Sequence, residues 1–246
     1  MKIIIVGPAH PYRGGLATFN ECMAQQFQKD GAQVSVETFT LQYPSFLFPG
    51  KTQYTTDAAP RDLLIRRSVH SVNPFNWIKV GRRLRKENAD LVLLRYWMPF
   101  MAPCMGTIGR MIRKNKKTKV VGLIDNMIPH EKRIGDNLLS RYFVNSMDAF
   151  VVLSDSVREE LRQFDQVKPC LVTPHPTYDH YGNLLTKAEA ANLLGLDASM
   201  RYILFFGFIR DYKGLDVLMR AYADKRMEQR NIRLIVAGEF YNNADK

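Results

Sequence analysis

Cysteine is scarce, with Cys22, Cys104 and Cys170 the only three in 246 residues. They stand far apart, with neither the pairing nor the short spacings of a metal site, so a disulfide framework or a zinc module is not expected and reduced thiols are. Long apolar runs are missing too. None approaches the roughly 18 residues needed to cross a bilayer, and the opening Met1-Lys2-Ile3-Ile4-Ile5-Val6-Gly7 is too short for the apolar stretch of a signal peptide, so a cytoplasmic protein is expected. The glycines nowhere fall as G-x-G-x-x-G, and the dinucleotide fingerprint is therefore absent. No RRM, KH, zinc-finger or recognition-helix pattern occurs, which leaves a nucleic-acid-binding reading resting on charge and nearby aromatics alone.

Acidic residues are rare in one stretch in particular. Residues 61–119 hold 15 Lys+Arg against 3 Asp+Glu, and this segment carries the whole of the +11 formal charge. Such a block suits anionic lipid, nucleic acid or an acidic substrate, and charge does not choose among them. A hydrophobic content of 46% supports a sizeable core. The length exceeds a typical domain, which predicts one complete α/β domain plus part of a second.

The β-branched run at residues 2–7 predicts a strand buried on both faces of a parallel sheet. A Pro- and Gly-rich loop follows, then a helix with Leu16, Phe19, Met23 and Phe27 as its apolar stripe, capped near Gly31. Gly14 and Gly15 at its start either let backbone approach a ligand or simply make a tight turn. Val34–Phe39 reads as the next strand. Residues 40–74 are weakly patterned and predict a long loop with a short helix at Asp62–Val69. Further helices are expected from Pro74, from about Ala102 to Lys114 and from Asn137 to Asn145, with strands at Leu91–Leu94, Val120–Ile124, Ala149–Leu153 and near Leu171–Thr173. Ser154 reads as a helix cap. Residues 174–183 lose all periodicity and read as a linker. A helix at Lys187–Leu194, a strand at Tyr202–Phe206, a helix opened by Gly214 and a last strand at Arg233–Ala237 complete the chain.

Three places on the predicted strand ends carry chemistry. Arg95-Tyr96-Trp97-Met98-Pro99-Phe100 puts aromatics on the rim where open α/β sheets bind ligands, as a stacking platform or as a hydrophobic cluster capping the next helix. Asp125, Asn126, His130 and Glu131 gather two carboxylates, an amide and an imidazole on the same rim. Arg210 and Lys213 lie in a loop between a strand and a helix. They either hold phosphate at the helix N-terminus or are solvated loop cations.

The glycine pair before the first helix, the Asn126-Met127-Ile128-Pro129-His130-Glu131 loop, the Phe150-Val151-Val152-Leu153-Ser154 strand, and FFGFIRDYKGLDVLMRAY (205–222) followed by LIVAGEF (234–240) resemble the GT-B glycosyltransferases of the large retaining group-1 (GT4) family. The resemblance covers nearly the whole chain. It implies an α/β fold: a Rossmann-like, doubly wound parallel sheet on the acceptor side at 1–173, a linker and leading helix at 174–200, and an incomplete Rossmann-like nucleotide-sugar domain at 201–246. The implied reaction moves a sugar from a nucleotide-diphosphate sugar to a glycan or lipid-linked acceptor with retention, in cell-surface polysaccharide synthesis, with no cofactor and no metal.

By the same resemblance Arg210, Lys213 and His130 are the catalytic candidates. Gly14, Gly15, Gly207 and Glu239 fall on the donor, and Asp125, Asn126, Glu131, Trp97 and Arg95 on the acceptor side. The expected partners are the nucleotide sugar and the acceptor; by its charge the block at residues 61–119 either docks on an anionic membrane face or is a solvated basic face, and nucleic acid is not expected. Three departures from the family pattern stand out. Gly207 is followed by Phe208 rather than Arg, with Arg210 as a substitute; Asp125 stands where relatives often have histidine; and an E-x7-E motif would lie beyond Lys246. The chain is accordingly expected to be a fragment lacking full activity, the alternative being a binding module or half of a split enzyme.

Overall fold

Four consecutive side chains, Ile3, Ile4, Ile5 and Val6, are all but inaccessible to solvent, because the strand that carries them lies mid-sheet with helices on both faces. The computed structural model describes residues 1–45, 48, 52–129, 133–177 and 182–240. It divides into two units, Met1–Pro44 with Thr52–Pro176, and Ser45–Lys51 with Thr177–Lys246.

The first unit runs β1 (Lys2–Val6), α1 (Gly15–Lys29), β2 (Gln33–Leu41), β3 (Leu64–His70), α2 (Pro74–Lys86), β4 (Leu91–Tyr96), α3 (Ala102–Arg113), β5 (Lys119–Ile124), α4 (Asp136–Val144), β6 (Ala149–Val152), α5 (Asp155–Arg162) and β7 (Cys170–Val172). Its seven strands are all parallel, in the order β3-β2-β1-β4-β5-β6-β7. The order reverses between β1 and β4, and the crevice outside their carboxyl ends is where such sheets take ligands. This is the expected Rossmann-like, doubly wound α/β fold.

Alternation along β1 feeds two cores. Ile4 and Val6 pack with Leu84, Met105, Ile108 and Phe143 from α2, α3 and α4. Ile3 and Ile5 join Ala24 of α1 and Val34 and Val36 of β2 on the other face. Local signals set the helix ends. Asn73 accepts from Asn76 N with Pro74 following it, and Ser154 accepts from Val157 N as the expected cap of α5. Gly81 is required where α2 meets α3, since a Cβ there would come within 2.6 Å of Met111 Cβ.

The short helix expected at Asp62–Val69 is corrected: Leu64–His70 is the edge strand β3, paired in parallel with β2. The reason is a partner 31 residues away. Glu37 of β2 is fully buried, and Arg83 grips it at 2.6 and 2.9 Å. Ser68 of β3 donates to the same carboxylate, and Arg66 Nη1 lies 3.7 Å from it. Charged side chains along β3 also suit a sheet edge.

The second unit contains α6 (Lys187–Leu193), β8 (Arg201–Phe206), α7 (Leu215–Tyr222), α8 (Lys225–Gln229) and β9 (Ile232–Ala237). Its two strands pair in parallel from Arg201 with Ile232 to Phe206 with Ala237. Among its described residues only Ala191 is buried, and Leu204, Phe206, Val217 and Met219 are more than half exposed.

Candidate active site

In the first unit the sheet's switch point is occupied by a polar cluster built from three elements. Arg95, on β4, is 1% exposed. Its Nε donates to Asp125 Oδ2 at 2.6 Å, and Nη2 donates to Oδ1 of the same carboxylate, just past β5. Its Nη1 donates to Asn20 Oδ1 of α1 at 3.2 Å, and its guanidinium carbon lies 4.1 Å from the centroid of the Phe19 ring. Asn20, wholly buried, donates in turn to Pro8 O at 2.8 Å. Gly7 sits beneath: a Cβ there would lie 2.8 Å from Asn20 Nδ2 and 2.9 Å from Arg95 Cβ. Only glycine lets α1 and β4 close over the end of β1 in this way.

Burial pushes the Asp125 carboxyl above the usual carboxylate range, against the opposing pull of Arg95 and of His175. The His175 ring packs edge-on to Phe19, with centroids 5.2 Å apart. Burial likewise raises Glu21, whose Oε1 accepts from His10 N at 2.6 Å. The loop after β5 is held by Glu160 of α5, which accepts from Met127 N and Ile128 N. Asn126 is exposed beside it, while His130 and Glu131 lie outside the described residues. Trp97 donates to Tyr43 OH at 2.6 Å and meets Phe39 edge-on, within an aromatic cluster that also stacks Tyr43 on Phe100.

Gly14 caps α1 at φ 108° with open space around it, and the helix has neither a side-chain cap nor an acidic residue in its first turn. Gly15, the first helical residue, is exposed. This end of a 15-residue helix therefore points uncapped N–H groups outward, the arrangement that favours an anion.

In the second unit the chain leaves β8 through Gly207 at φ 108°, a conformation that excludes most side chains. The Lys213 ammonium lies 3.3 Å from where a Gly207 Cβ would be. A Cβ on Gly238, just past β9, would be 1.9 Å from Gly207 O, so the two glycines bring the strand ends into close backbone contact. Ile209 N donates to Glu239 O at 2.8 Å and Lys213 N to Arg210 O at 2.9 Å, fixing the turn. Arg210 is half-buried, its guanidinium 5.9 Å from the Tyr212 ring, and Glu239 is half-buried too. Gly214, in the left-handed conformation, starts α7. The turn thus offers one ammonium over bare backbone, with a guanidinium three residues earlier. Among the described residues no three His, Cys, Asp or Glu side chains are grouped as metal ligands would be.

Asn20, Phe19, Gly7, His175 and Glu160 were not singled out as site residues from the sequence. Asn20 alone carried a signal, an amide at a position where the apolar stripe of α1 passes.

Residues 13–178, more than half of the chain, match the family described as Glycosyltransferase Family 4. The chain belongs to that family. No curated protein matches the sequence. Solved structures similar to this chain include a glycosyltransferase from Rickettsia africae ESF-5, with 15% identity, a TM-score of 0.61 and coverage of 99% of this chain and 69% of that one. The catalytic domain of starch synthase IV from Arabidopsis thaliana, bound to ADP and acarbose, is 9% identical with a TM-score of 0.57, covering 97% and 68%. An alpha-glucosyltransferase in complex with UDP-glucose and DNA containing an abasic site is 10% identical with a TM-score of 0.56, covering 96% of this chain but only 57% of its own length. At these identities the likeness is one of fold, and this member of the family spans about 57–69% of the length of those chains.

Proposed function

We propose that the chain supplies the donor grip and the acceptor face for transfer of a sugar from a nucleotide-diphosphate sugar to a glycan or lipid-linked acceptor, with retention and without a metal, in cell-surface polysaccharide synthesis, and that it lacks full activity by itself. The observation that carries this reading is the Lys213 ammonium held against Gly207 at the end of β8. As the bond between the anomeric carbon and the diphosphate breaks, negative charge develops on the leaving group. Lys213 supplies a point charge there, and Arg210 a two-pronged fork for phosphate oxygens. Gly207 and Glu239 line the same turn on the donor side. In the first unit, taken by itself, the end of α1 at Gly14 and Gly15 is a further candidate for binding phosphate. Asp125, Asn126, Glu131, Trp97 and Arg95 make the acceptor side, with the Arg95 and Asp125 pair as its rigid floor, and His130 is the further catalytic candidate.

Calorimetric titration with UDP, ADP, UMP and AMP tests the donor reading. At least one diphosphate is expected to bind about tenfold or more tightly than its monophosphate, the worth of one additional charge-assisted hydrogen bond. Equal affinity for diphosphate and monophosphate would remove the basis for the phosphate grip.

A further inference from the structure

The segment that follows β7 returns to the switch point of the sheet. Pro174 and Pro176 flank His175 and restrict the backbone on either side of it. The imidazole packs edge-on against Phe19 with centroids 5.2 Å apart, and the Arg95 guanidinium lies over that same phenylalanine at 4.1 Å. His175 is also close enough to Asp125 to draw its carboxyl downward against the effect of burial. Three segments distant in sequence thus bring an imidazole to the buried ion pair.

Exposure separates the members of this group. Arg95 and Asn20 are buried and the Asp125 side chain is 13% exposed, whereas His175 is exposed, as is Asn126 beside the carboxylate. A molecule entering the crevice reaches the imidazole and the amide, while the guanidinium stays out of reach.

We propose that His175 is a substrate-contacting residue of the acceptor side, and that the group it takes is a neutral saccharide, one of whose hydroxyls donates to His175 Nε2. The inference rests on the transfer reading and goes further by naming the residue and the chemistry it selects.

The hydrogen bonding sets the direction. His175 Nδ1 lies 3.2 Å from Pro176 O. A carbonyl can only accept, so in the neutral ring Nδ1 carries the proton and Nε2 is the accepting nitrogen. Charge then argues against an anionic ligand here. Arg95 turns Nε and Nη2 to Asp125 and Nη1 to Asn20, so its charge is spent inside the protein, and the carboxylate beside His175 disfavours a second negative group. The rest of the rim suits a sugar ring. Asn126 offers an amide with donors and an acceptor, and the half-buried Trp97 brings an aromatic ring of the kind that packs on C–H faces. A lipid chain would leave the imidazole and the amide unmatched.

Saturation-transfer NMR and calorimetry of the full chain with the methyl glycosides of glucose, galactose, mannose and N-acetylglucosamine test the proposal. At least one glycoside is expected to bind saturably and to shift the His175 ring signals. His175→Phe keeps a ring against Phe19 but has no nitrogen, and should bind that glycoside about fivefold or more weakly. His175→Gln, whose side-chain oxygen reaches the place of Nε2, should stay within about twofold of the unaltered chain. A residue that only packs the segment on Phe19 would give the reverse order. His175→Phe binding as tightly as the unaltered chain, His175→Gln binding as weakly as His175→Phe, or no glycoside binding at all would each overturn the proposal. Nucleoside diphosphate affinity, carried by the Gly207 turn of the second unit, should be unchanged in both variants. A chain that keeps its preference for diphosphate over monophosphate but fails the glycoside test therefore overturns this inference and leaves the donor grip standing, whereas loss of both removes the transfer reading with it. Circular dichroism confirms that each variant folds.

Discussion

Arg95, next to last in β4, and Asp125, first past β5, form a two-pronged ion pair across neighbouring strands at the switch point of the sheet, with Arg95 Nε 2.6 Å from Asp125 Oδ2. Burial raises the Asp125 carboxyl against the pull of Arg95 and His175, and in a buried ion pair desolvation offsets much of the attraction between the charges. Losing one partner is worse than losing both. Arg95→Met and Asp125→Leu should each destabilise the first unit by about 3–5 kcal/mol, and the double variant should lose clearly less than the sum of the two, its remaining cost of about 1–3 kcal/mol set by the buried Asn20 Oδ1 that no longer receives Arg95 Nη1. Both tryptophans, Trp77 and Trp97, lie in this unit, so urea unfolding followed by tryptophan fluorescence reports it directly. Additive single effects would contradict the reading.

The same pair sets a pH dependence. Because the Asp125 carboxyl is raised in the folded state, the native protein holds a proton at pH values where the unfolded chain has released it. Stability therefore falls as pH rises from the ordinary carboxylate range through the raised value. In Asp125→Asn that contribution disappears, and the difference in unfolding free energy between the two proteins should change with pH across this window and level off above it. A difference constant across the window would show that the carboxyl is not raised.

Gly7 is a packing requirement rather than a hinge. Gly7→Ala forces a methyl into Asn20 and Arg95 Cβ, and should cost about 1–3 kcal/mol of stability in the first unit. An unchanged melting temperature would mean that α1 can move away from β4 without loss.

The two units should differ in protection. β1, β4 and β5 are buried on both faces, whereas β8 and β9 carry half-exposed apolar side chains and no fully buried one. Amides of β8 and β9 should exchange with solvent at least about a hundredfold faster than those of β1 and β5, a gap of a few kcal/mol in opening free energy. Equal protection would contradict the description of the second unit.

Much of this was legible in the sequence because it is local. The β-branched run of β1, Pro74 after Asn73, the Ser154 cap and the glycine opening of α7 each state their role within a few residues. β3 was not legible: its Leu-Ile-Arg-Arg-Ser-Val-His run reads as helix until Glu37 on the next strand supplies a partner for Ser68 and Arg66. The polar floor was hidden for the same reason, since Asn20 and Arg95 are 75 residues apart and meet only when α1 packs on the sheet. Arg95 was singled out for its place at a strand end, but nothing nearby shows that its charge is turned inward to Asp125.

The central claim is that the Gly207 turn grips a diphosphate, and Lys213→Ala tests it most directly. Measured by calorimetry, the variant should lose about tenfold or more of its affinity for the nucleoside diphosphate while its affinity for the matching monophosphate barely changes, so that the preference between the two collapses. If diphosphate binding is unaffected, or both ligands weaken equally, Lys213 is a solvated loop cation and the turn is not the phosphate grip.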